Sequence, residues 1–154
     1  MHIDDTIGMV LKGKPQNRIL SIEPDHTVYE ALEIMAENDI GALLVCSGDC
    51  PGGTVLGILS ERDYARKCAL VGHTSKETRV DQIMTTPVRS VTPQHTVDEC
   101  MALMTGHRFR HLPVLDRDRL VGLISIGDLV KWVISSQQQA IGALEGYITG
   151  GYPS

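Results

Sequence analysis

The chain has 154 residues, 42% of them hydrophobic and 21% charged, and its formal net charge is −5. This length suffices for one good core or for two small units that share one. The negative charge argues against nucleic acid as the main partner. No apolar run in the sequence approaches the length of a membrane span. The polar residues 1–5 are unlike a secretory signal. We therefore expect a cytoplasmic protein without a membrane partner.

The first part of the chain alternates helix and strand signals. Residues 4–12 predict a short lead-in helix, and residues 19–22 predict a short strand. Thr27 and Glu30 have the spacing of a capping box, so a second helix is expected to begin there and to end near residue 38. Its predicted buried face carries Val28, Ala31, Leu32 and Met35.

Two further strands and a helix complete this half. Residues 41–46 and 54–59 predict strands, because the Gly-rich segment 47–53 between them is a strong turn signal. A helix is expected to open at Ser60 and to run to about residue 70.

The second half of the chain follows the same order. Thr96 and Glu99 have the spacing of another capping box. Strands are predicted at 111–115 and 120–124, and the last helix begins near Ile126 and extends to about Gln139 or beyond. The helix after Thr96 is expected to bury Val97, Cys100, Met101 and Met104.

Two segments of the chain occur twice. Ile22 to Val28 returns as Val91 to Val97, and Leu56 to Asp63 returns as Val121 to Asp128. This repetition predicts a mixed α/β (α+β) fold of two tandem β-α-β-β-α units, packed as a pseudo-two-fold pair with clefts where they meet. The predicted segments are a lead-in helix at 1–17, a first repeat at 18–71, a linker at 72–86, a second repeat at 87–135 and a tail at 136–154.

Each repeat places the pattern Gly-x-x-Ser-x-x-Asp where a strand gives way to a helix. One interpretation is helix capping, in which Ser60 and Ser125 cap the helices while Asp63 and Asp128 complement the helix dipoles. The other is ligand binding, because a carboxylate can accept both hydroxyls of a ribose. The glycine of each pattern would then let another backbone or a flat base come close.

Taken together, these motifs resemble the CBS domain, the cystathionine-β-synthase-type repeat that pairs in tandem. The resemblance covers about 19–133 and rests on the Pro-x-x-Thr-Val start of each repeat, on Leu112-Pro113-Val114, and on the repeated Ser–Asp pattern. In particular, the chain is similar to small stand-alone bacterial CBS-pair proteins that carry Ser-Glu-Arg-Asp-Tyr-Ala-Arg, here residues 60–66.

The resemblance implies two clefts that bind an adenine nucleotide, AMP first, with ADP, ATP or NAD as alternatives. Asp63 and Asp128 would hold the ribose hydroxyls, and Ser60 and Ser125, where the family commonly has Thr, would add hydroxyl contacts. The base would meet the backbone of the opposite repeat. The implied residues are Ser21, Ile22, Glu23, Ile40, Gly41 and Ala42 for the Asp128 cleft, and Ser90, Val91, Thr92, Phe109, Arg110 and His111 for the Asp63 cleft.

The two clefts differ in nearby positive charge. Arg110 and His111 precede the central strand of the second repeat, where the family commonly contacts phosphate. We therefore expect the Asp128 cleft to bind phosphate more strongly, since Arg and protonated His both pair with phosphate. The Asp63 cleft would draw on Arg18, Arg62 or Arg66.

No metal cofactor is predicted. Cys46 closes an apolar strand and is interpreted as a buried thiol, whereas a metal or redox role stays open for Cys50 in its Gly/Pro-rich loop. His26 and His95 each lie in a loop, one residue before a helix cap. Structural or solvated roles are therefore favoured for both histidines.

The resemblance implies a regulatory, signal-transducing module that is not an enzyme, that forms a homodimer and that acts on an effector which the sequence does not identify. Neither a nucleophile with a base nor a P-loop nor a metal motif is recognisable in the sequence. Two alternatives stay open: a structural or partner-docking dimerisation protein with vestigial clefts, and an enzyme such as a nucleotide hydrolase.

Overall fold

The computed structural model describes residues 4–14, 19–50, 52–107 and 109–148. In chain order the elements are α1 (Ile7–Gly13), β1 (Ser21–Ile22), α2 (Val28–Asn38), β2 (Ala42–Ser47), β3 (Thr54–Ser60), α3 (Glu61–Tyr64) with a π-helical turn (Ala65–Ala69), α4 (Val80–Ile83), α5 (Val97–His107), β4 (His111–Asp116), β5 (Arg119–Ser125) and α6 (Ile126–Ile148). None of the described helices is both long and apolar enough to cross a membrane.

The described residues form two compact units. The first unit contains residues 4–14, 92–107, 109–111 and 124–148, and the second contains residues 19–50, 52–91 and 112–123. The described part of the first repeat thus lies wholly in the second unit, together with the segment predicted as a linker and most of the β4–β5 hairpin.

The sheet of the second unit has the strand order β1-β2-β3. β1 is parallel to β2, with Ser21 opposite Leu44, and β2 is antiparallel to β3, with Ala42 opposite Ser60. β2 is the central strand, and its residues from Ala42 to Cys46 are all buried. Its continuous apolar run is typical of a strand that is covered on both faces.

Two apolar clusters cover the two faces of β2, because successive side chains of a strand point to opposite faces. One cluster joins β2 to α2 and α4, and its buried members are Ile22, Val28, Ala31, Met35, Leu43, Val45, Leu59, Cys68, Val80 and Ile83. The other cluster joins β2 to the β4–β5 hairpin, and it contains Leu44, Cys46 and Leu120 with the partly buried Ile19, Cys50, Val55, Ile58, Leu115 and Leu123.

Helix α2 begins where the sequence predicts, because Thr27 and Glu30 form a capping box. The Glu30 N–H donates to Thr27 Oγ1 at 3.1 Å, and the Thr27 N–H donates to Glu30 Oε1 at 3.4 Å. The helix ends before Asp39, which adopts the left-handed conformation. Of the four residues predicted on its buried face, three are fully buried and Leu32 is half-buried.

Part of the segment predicted as a linker is folded into the second unit. The Val80 N–H donates to the carbonyl of His26 at 2.8 Å, and the Asp81 N–H donates to the carbonyl of Pro24 at 3.0 Å. These bonds hold α4 beside the start of α2, where Val80 and Ile83 join the apolar cluster around α2. The boundaries of the repeats stay predictions.

In the second repeat the first strand of the β-α-β-β-α order is reduced to a single parallel bridge between Val91 and Val114. The Val91 N–H donates to the carbonyl of Pro113 at 3.0 Å, and the Leu115 N–H donates to the carbonyl of Val91 at 2.8 Å. The ladder does not extend toward the preceding residues, since Pro113 has no N–H with which to form the next bond.

The first unit packs the helices α1, α5 and α6. The indole N–H of Trp132 donates to Asp5 Oδ2 at 2.7 Å, and the N–H of Ile7 donates to the carbonyl of His95 at 2.8 Å. Ile7 is fully buried. The predicted lead-in helix is therefore present as α1, and α6 extends beyond Gln139.

Cys46 is buried, but it is not a thiol. A disulfide joins it to Cys50, so the interpretation of Cys46 as a buried thiol was wrong. The turn after β2 brings Cys50 back to the strand end, helped by a positive φ angle of 81° at Gly48 that glycine adopts without strain.

Candidate functional site

Ser125 and Asp128 lie where β5 ends and α6 begins. The Ser125 N–H donates to Asp128 Oδ2 at 2.8 Å, and the Asp128 N–H donates to Ser125 Oγ at 3.1 Å. These reciprocal bonds satisfy N–H groups at the start of the helix that have no partner within it. The capping interpretation is confirmed here, and the cap holds the carboxylate in one orientation.

Lys14, the residue that follows α1, forms an ion pair with the same carboxylate. Its Nζ lies 3.0 Å from Asp128 Oδ2, and the side chains of Lys14 and Asp128 are 26% and 21% exposed. Asp128 Oδ2 thus accepts two hydrogen bonds, whereas Oδ1 has no hydrogen-bond partner among the described residues.

These surroundings lower the pKa of Asp128 below its ordinary value. Burial acts in the opposite direction and raises the pKa, but the Ser125 N–H and the Lys14 ammonium together outweigh it by stabilising the charged form. The carboxylate is therefore ionised at neutral pH and acts as a hydrogen-bond acceptor.

Arg110 and His111 lie at the same helix start. The carbonyl of Arg110 accepts a bond from the Ile126 N–H at 2.9 Å, which places its backbone beside the first residue of α6. Arg110 is exposed, and His111 is half-buried at the start of β4. The structure thus brings Arg110, His111, Ser125 and Asp128 to one end of the β4–β5 hairpin.

Asp63 caps α3 in the same way as Asp128 caps α6. Asp63 Oδ2 accepts bonds from the Ser60 N–H at 3.0 Å and from Ser60 Oγ at 3.1 Å. Its Oδ1, however, accepts a bond from Thr85 Oγ1 at 3.1 Å and lies 3.3 Å from Lys67 Nζ. Both oxygens of Asp63 are engaged, and its side chain is only 13% exposed.

The first repeat also matches the second in the backbone around its capped helix. The Glu61 N–H donates to the carbonyl of Gly41 at 3.1 Å, as the Ile126 N–H does to Arg110. The expectation that the glycine of the pattern admits a close neighbour is confirmed at Gly57, where a Cβ atom would come within 2.9 Å of the carbonyl of Thr85.

The other predicted residues are distributed over both units. In the second unit, Ser21 and Ile22 form β1, and Ala42 begins β2. The side chain of Glu23 accepts a bond from the Gly48 N–H, and the Ile40 N–H donates to the carbonyl of Met35. Ser90 precedes the bridge at Val91, and Arg62 and Arg66 are exposed on α3 and on the π-helical turn. In the first unit, the Thr92 N–H donates to His95 Nδ1, and Phe109 stacks on His107. Arg18 lies outside the described residues. The assignment of these residues to one carboxylate or the other stays a prediction.

The sequence reasoning missed three residues that contact the carboxylates. Lys67 is four positions after Asp63, and this spacing is a recognisable helical ion pair. Lys14 and Thr85 gave no such signal, because each reaches its carboxylate from a distant part of the chain.

The region before α2 holds a group of potential metal ligands. Ligand atoms of Glu23, Asp25 and His26 all lie within 4.8 Å of one another, and the three residues are exposed. His26 Nδ1 also pairs with Glu30 Oε2. This hydrogen bond is the main reason that the pKa of His26 is raised above its ordinary value.

A protein-family model of the CBS domain matches residues 14–69 and 80–135. The chain belongs to the CBS-domain family. Its two CBS domains stand in tandem, which confirms the family and the fold class predicted from the repeated motifs. Each Ser–Asp pair therefore belongs to one CBS domain.

Known CBS-domain proteins are similar to this chain over most of its length. The Arabidopsis thaliana protein named CBS domain-containing protein CBSX3, mitochondrial, is 39% identical, and the match covers 96% of this chain and 73% of the relative. A protein with CBS domains from Burkholderia ambifaria, whose structure is solved, is 54% identical with a TM-score of 0.80, and the match covers 86% of this chain and 96% of that one. A hexameric CBS-CP12 protein from bloom-forming cyanobacteria is 28% identical with a TM-score of 0.70, and the match covers 81% of this chain and 70% of that one.

Proposed function

We propose that this CBS pair is a non-catalytic regulatory module that binds an adenine nucleotide, AMP in preference to ADP, ATP or NAD. CBS-pair proteins are typically regulatory or signal-transduction modules, and the family is generally non-catalytic. The ribose hydroxyls would bind to Asp128, with Arg110 and His111 contributing to the phosphate.

The observation that carries the proposal is the state of the Asp128 carboxylate. It is ionised and held in one orientation by its cap, and its Oδ1 keeps its acceptor capacity among the described residues. A carboxylate in this state can accept a sugar hydroxyl without losing its own structural bonds.

The two carboxylates would bind unequally. A ribose at Asp63 has to replace the bonds from Thr85 and Lys67 to Oδ1, and losing bonds to a charged group costs free energy. Asp128 is also the more exposed of the two side chains. We therefore place the stronger site at Asp128 and the weaker one at Asp63.

The proposal is tested by calorimetric titration of AMP into the wild type, Asp128→Asn and Asp63→Asn. Asparagine keeps an acceptor for the capping N–H but removes the charge, so each variant is a matched control for the other. AMP affinity should fall about tenfold or more in Asp128→Asn and change less in Asp63→Asn. Failure of every nucleotide to bind the wild type would refute the proposal.

A second candidate function is a partner-docking or dimerisation protein whose clefts are vestigial. Two observations favour it: Asp63 is fully engaged by bonds within the protein, and Val130, Ile134 and Ile141 form an exposed apolar stripe along α6. Such a face is typical of a surface that another protein covers. A wild type that binds no nucleotide but forms a stable dimer would support this function.

We further propose a homodimer in the cytoplasm. A similar CBS protein is hexameric, which supports self-association of this chain, and one relative is named as mitochondrial. Light scattering coupled to gel filtration tests the assembly, and the mass of one chain would contradict the dimer.

A further inference from the structure

We propose that the disulfide between Cys46 and Cys50 is a reversible thiol–disulfide exchange site, which a dithiol opens by attack on Cys50. The sequence leaves a redox role open for Cys50, and the disulfide supplies the partner that such a role requires. Opening the bond would loosen the turn after β2, residues 47–50 and 52–53, and it requires no nucleotide.

The two sulfur atoms of the disulfide differ in access. Cys46 is fully buried at the end of β2, in the apolar cluster that β2 forms with the β4–β5 hairpin. Cys50 is only half-buried and packs against the same cluster. The rate of exchange depends on which sulfur a thiolate can reach. Exchange therefore begins at Cys50, and Cys46 is the leaving group.

The chemistry consists of two successive exchanges. A thiolate of the dithiol forms a bond to Cys50 Sγ while the bond between Cys46 and Cys50 breaks, and Cys46 leaves as a thiolate that takes up a proton. The second thiolate of the dithiol then attacks the dithiol's own sulfur in this mixed disulfide, and Cys50 leaves as a thiolate that is protonated in turn. The chain gains two electrons and two protons, and the dithiol is oxidised to a disulfide.

The strands beside the turn have contacts that do not involve the disulfide. β2 and β3 stay paired up to the turn, where Ser47 lies opposite Thr54, and the Gly53 N–H donates to the carbonyl of Asp49 at 2.8 Å. The two cysteines are only four positions apart, and closing a short loop restricts the unfolded chain less than closing a long one. We therefore expect the chain to stay folded when the bond opens.

The site of Cys46 also suits the reduced state. A free buried cysteine behaves as a small apolar side chain, and the other buried members of its cluster, Leu44 and Leu120, are apolar. Cys50 would lose its covalent link to the strand end. The turn would then be held by noncovalent contacts, such as the bond of 3.3 Å from the Gly48 N–H to Glu23 Oε1. Reduction should therefore loosen the turn and leave the sheet intact.

Alkylation of the folded full chain tests whether a dithiol reaches the bond. The chain is treated with dithiothreitol and then with iodoacetamide, and mass spectrometry locates the alkylated cysteines. We expect Cys50 to react at least about tenfold faster than Cys68 and Cys100, because these two thiols are fully buried. Cys50 should not react if dithiothreitol is omitted. Oxidised dithiothreitol should restore the disulfide, and circular dichroism should show a folded chain in both states.

Two matched variants test which sulfur is attacked. Cys46→Ala leaves Cys50 as a half-buried thiol, and Cys50→Ala leaves Cys46 as a fully buried one. Oxidised glutathione should therefore form a mixed disulfide at Cys50 of the first variant at least about tenfold faster than at Cys46 of the second. Cys46→Ser replaces Cys46→Ala if that variant does not fold.

Hydrogen exchange measures the effect on the turn. Backbone amides in the segment 47–53 should exchange faster in the reduced wild type than in the oxidised wild type, whereas those of residues 42–45 in β2 should not change. The proposal is overturned if the disulfide opens only in urea, if reduction unfolds the chain, or if Cys46 and Cys50 react equally fast in the two variants. Equal exchange of the segment 47–53 in both redox states would also overturn it.

Discussion

Replacing Asp128 with alanine tests the capped start of α6 and the ion pair with α1 together. The change removes the acceptor of the Ser125 N–H and the carboxylate that pairs with Lys14. Loss of a helix cap costs about 1 kcal/mol, and a partly exposed ion pair contributes up to about 1 kcal/mol. We expect the free energy of unfolding to fall by about 2 kcal/mol, which lowers Tm by roughly 4–8 °C for a protein of this size.

The pH dependence of this loss follows from the lowered pKa of Asp128. A carboxylate whose pKa is lower in the folded state stabilises the fold above its unfolded pKa of about 3.9. This contribution is lost as the pH falls through the folded value. The difference between wild type and Asp128→Ala should therefore be complete at neutral pH and should shrink in acid.

Urea unfolding followed by circular dichroism measures both effects. Glu37→Ala, which removes an exposed carboxylate from α2, is the control and should change the free energy of unfolding by less than about 0.5 kcal/mol. If Asp128→Ala behaves like this control at neutral pH, or if it loses as much stability in acid, Asp128 does not stabilise the fold through its cap and its ion pair.

Two substitutions and one alkylation experiment test the packing of the fold. Leu43→Ala empties a fully buried position of the central strand and should cost about 2–5 kcal/mol in urea unfolding; a loss below about 1 kcal/mol would contradict the assigned core. Gly57→Ala places a Cβ atom 2.9 Å from the carbonyl of Thr85 and from Met84 Sδ, so we expect a loss of about 1–3 kcal/mol, and an unchanged Tm would contradict that close approach. Burial, with a smaller contribution from Glu99, raises the pKa of Cys100 to about 11. Alkylation of Cys100 at neutral pH, measured by mass spectrometry, should therefore be much slower in the folded chain than in the urea-unfolded chain. Equal rates would show that the thiol is not buried.

The helix starts were predictable because their signals are local. Thr27 with Glu30, Thr96 with Glu99 and each Ser–Asp pair lie three positions apart, which is the distance over which a capping side chain meets its N–H group. The repeat then located the second set from the first. Each cap depends only on residues that are close in the chain.

The features that sequence reasoning missed depend on residues that are distant in the chain. Thr85 meets Asp63, and Lys14 meets Asp128, only after the chain has folded back. The predicted linker contains α4 because backbone carbonyls of Pro24 and His26 hold it in place. Backbone hydrogen bonds do not depend on residue type, so the sequence gives no signal for them. Pro113 was a local sign that its ladder would be short, although it was interpreted only as a family motif.

Titration of AMP and of 2′,3′-dideoxy-AMP into the same protein tests whether Asp128 holds the ribose of a nucleotide. The two compounds share the base and the phosphate and differ only in the sugar hydroxyls. The dideoxy compound should bind the wild type about tenfold more weakly or worse, and Asp128→Asn should reduce this difference. Equal affinities of the wild type for both compounds would contradict this role of Asp128.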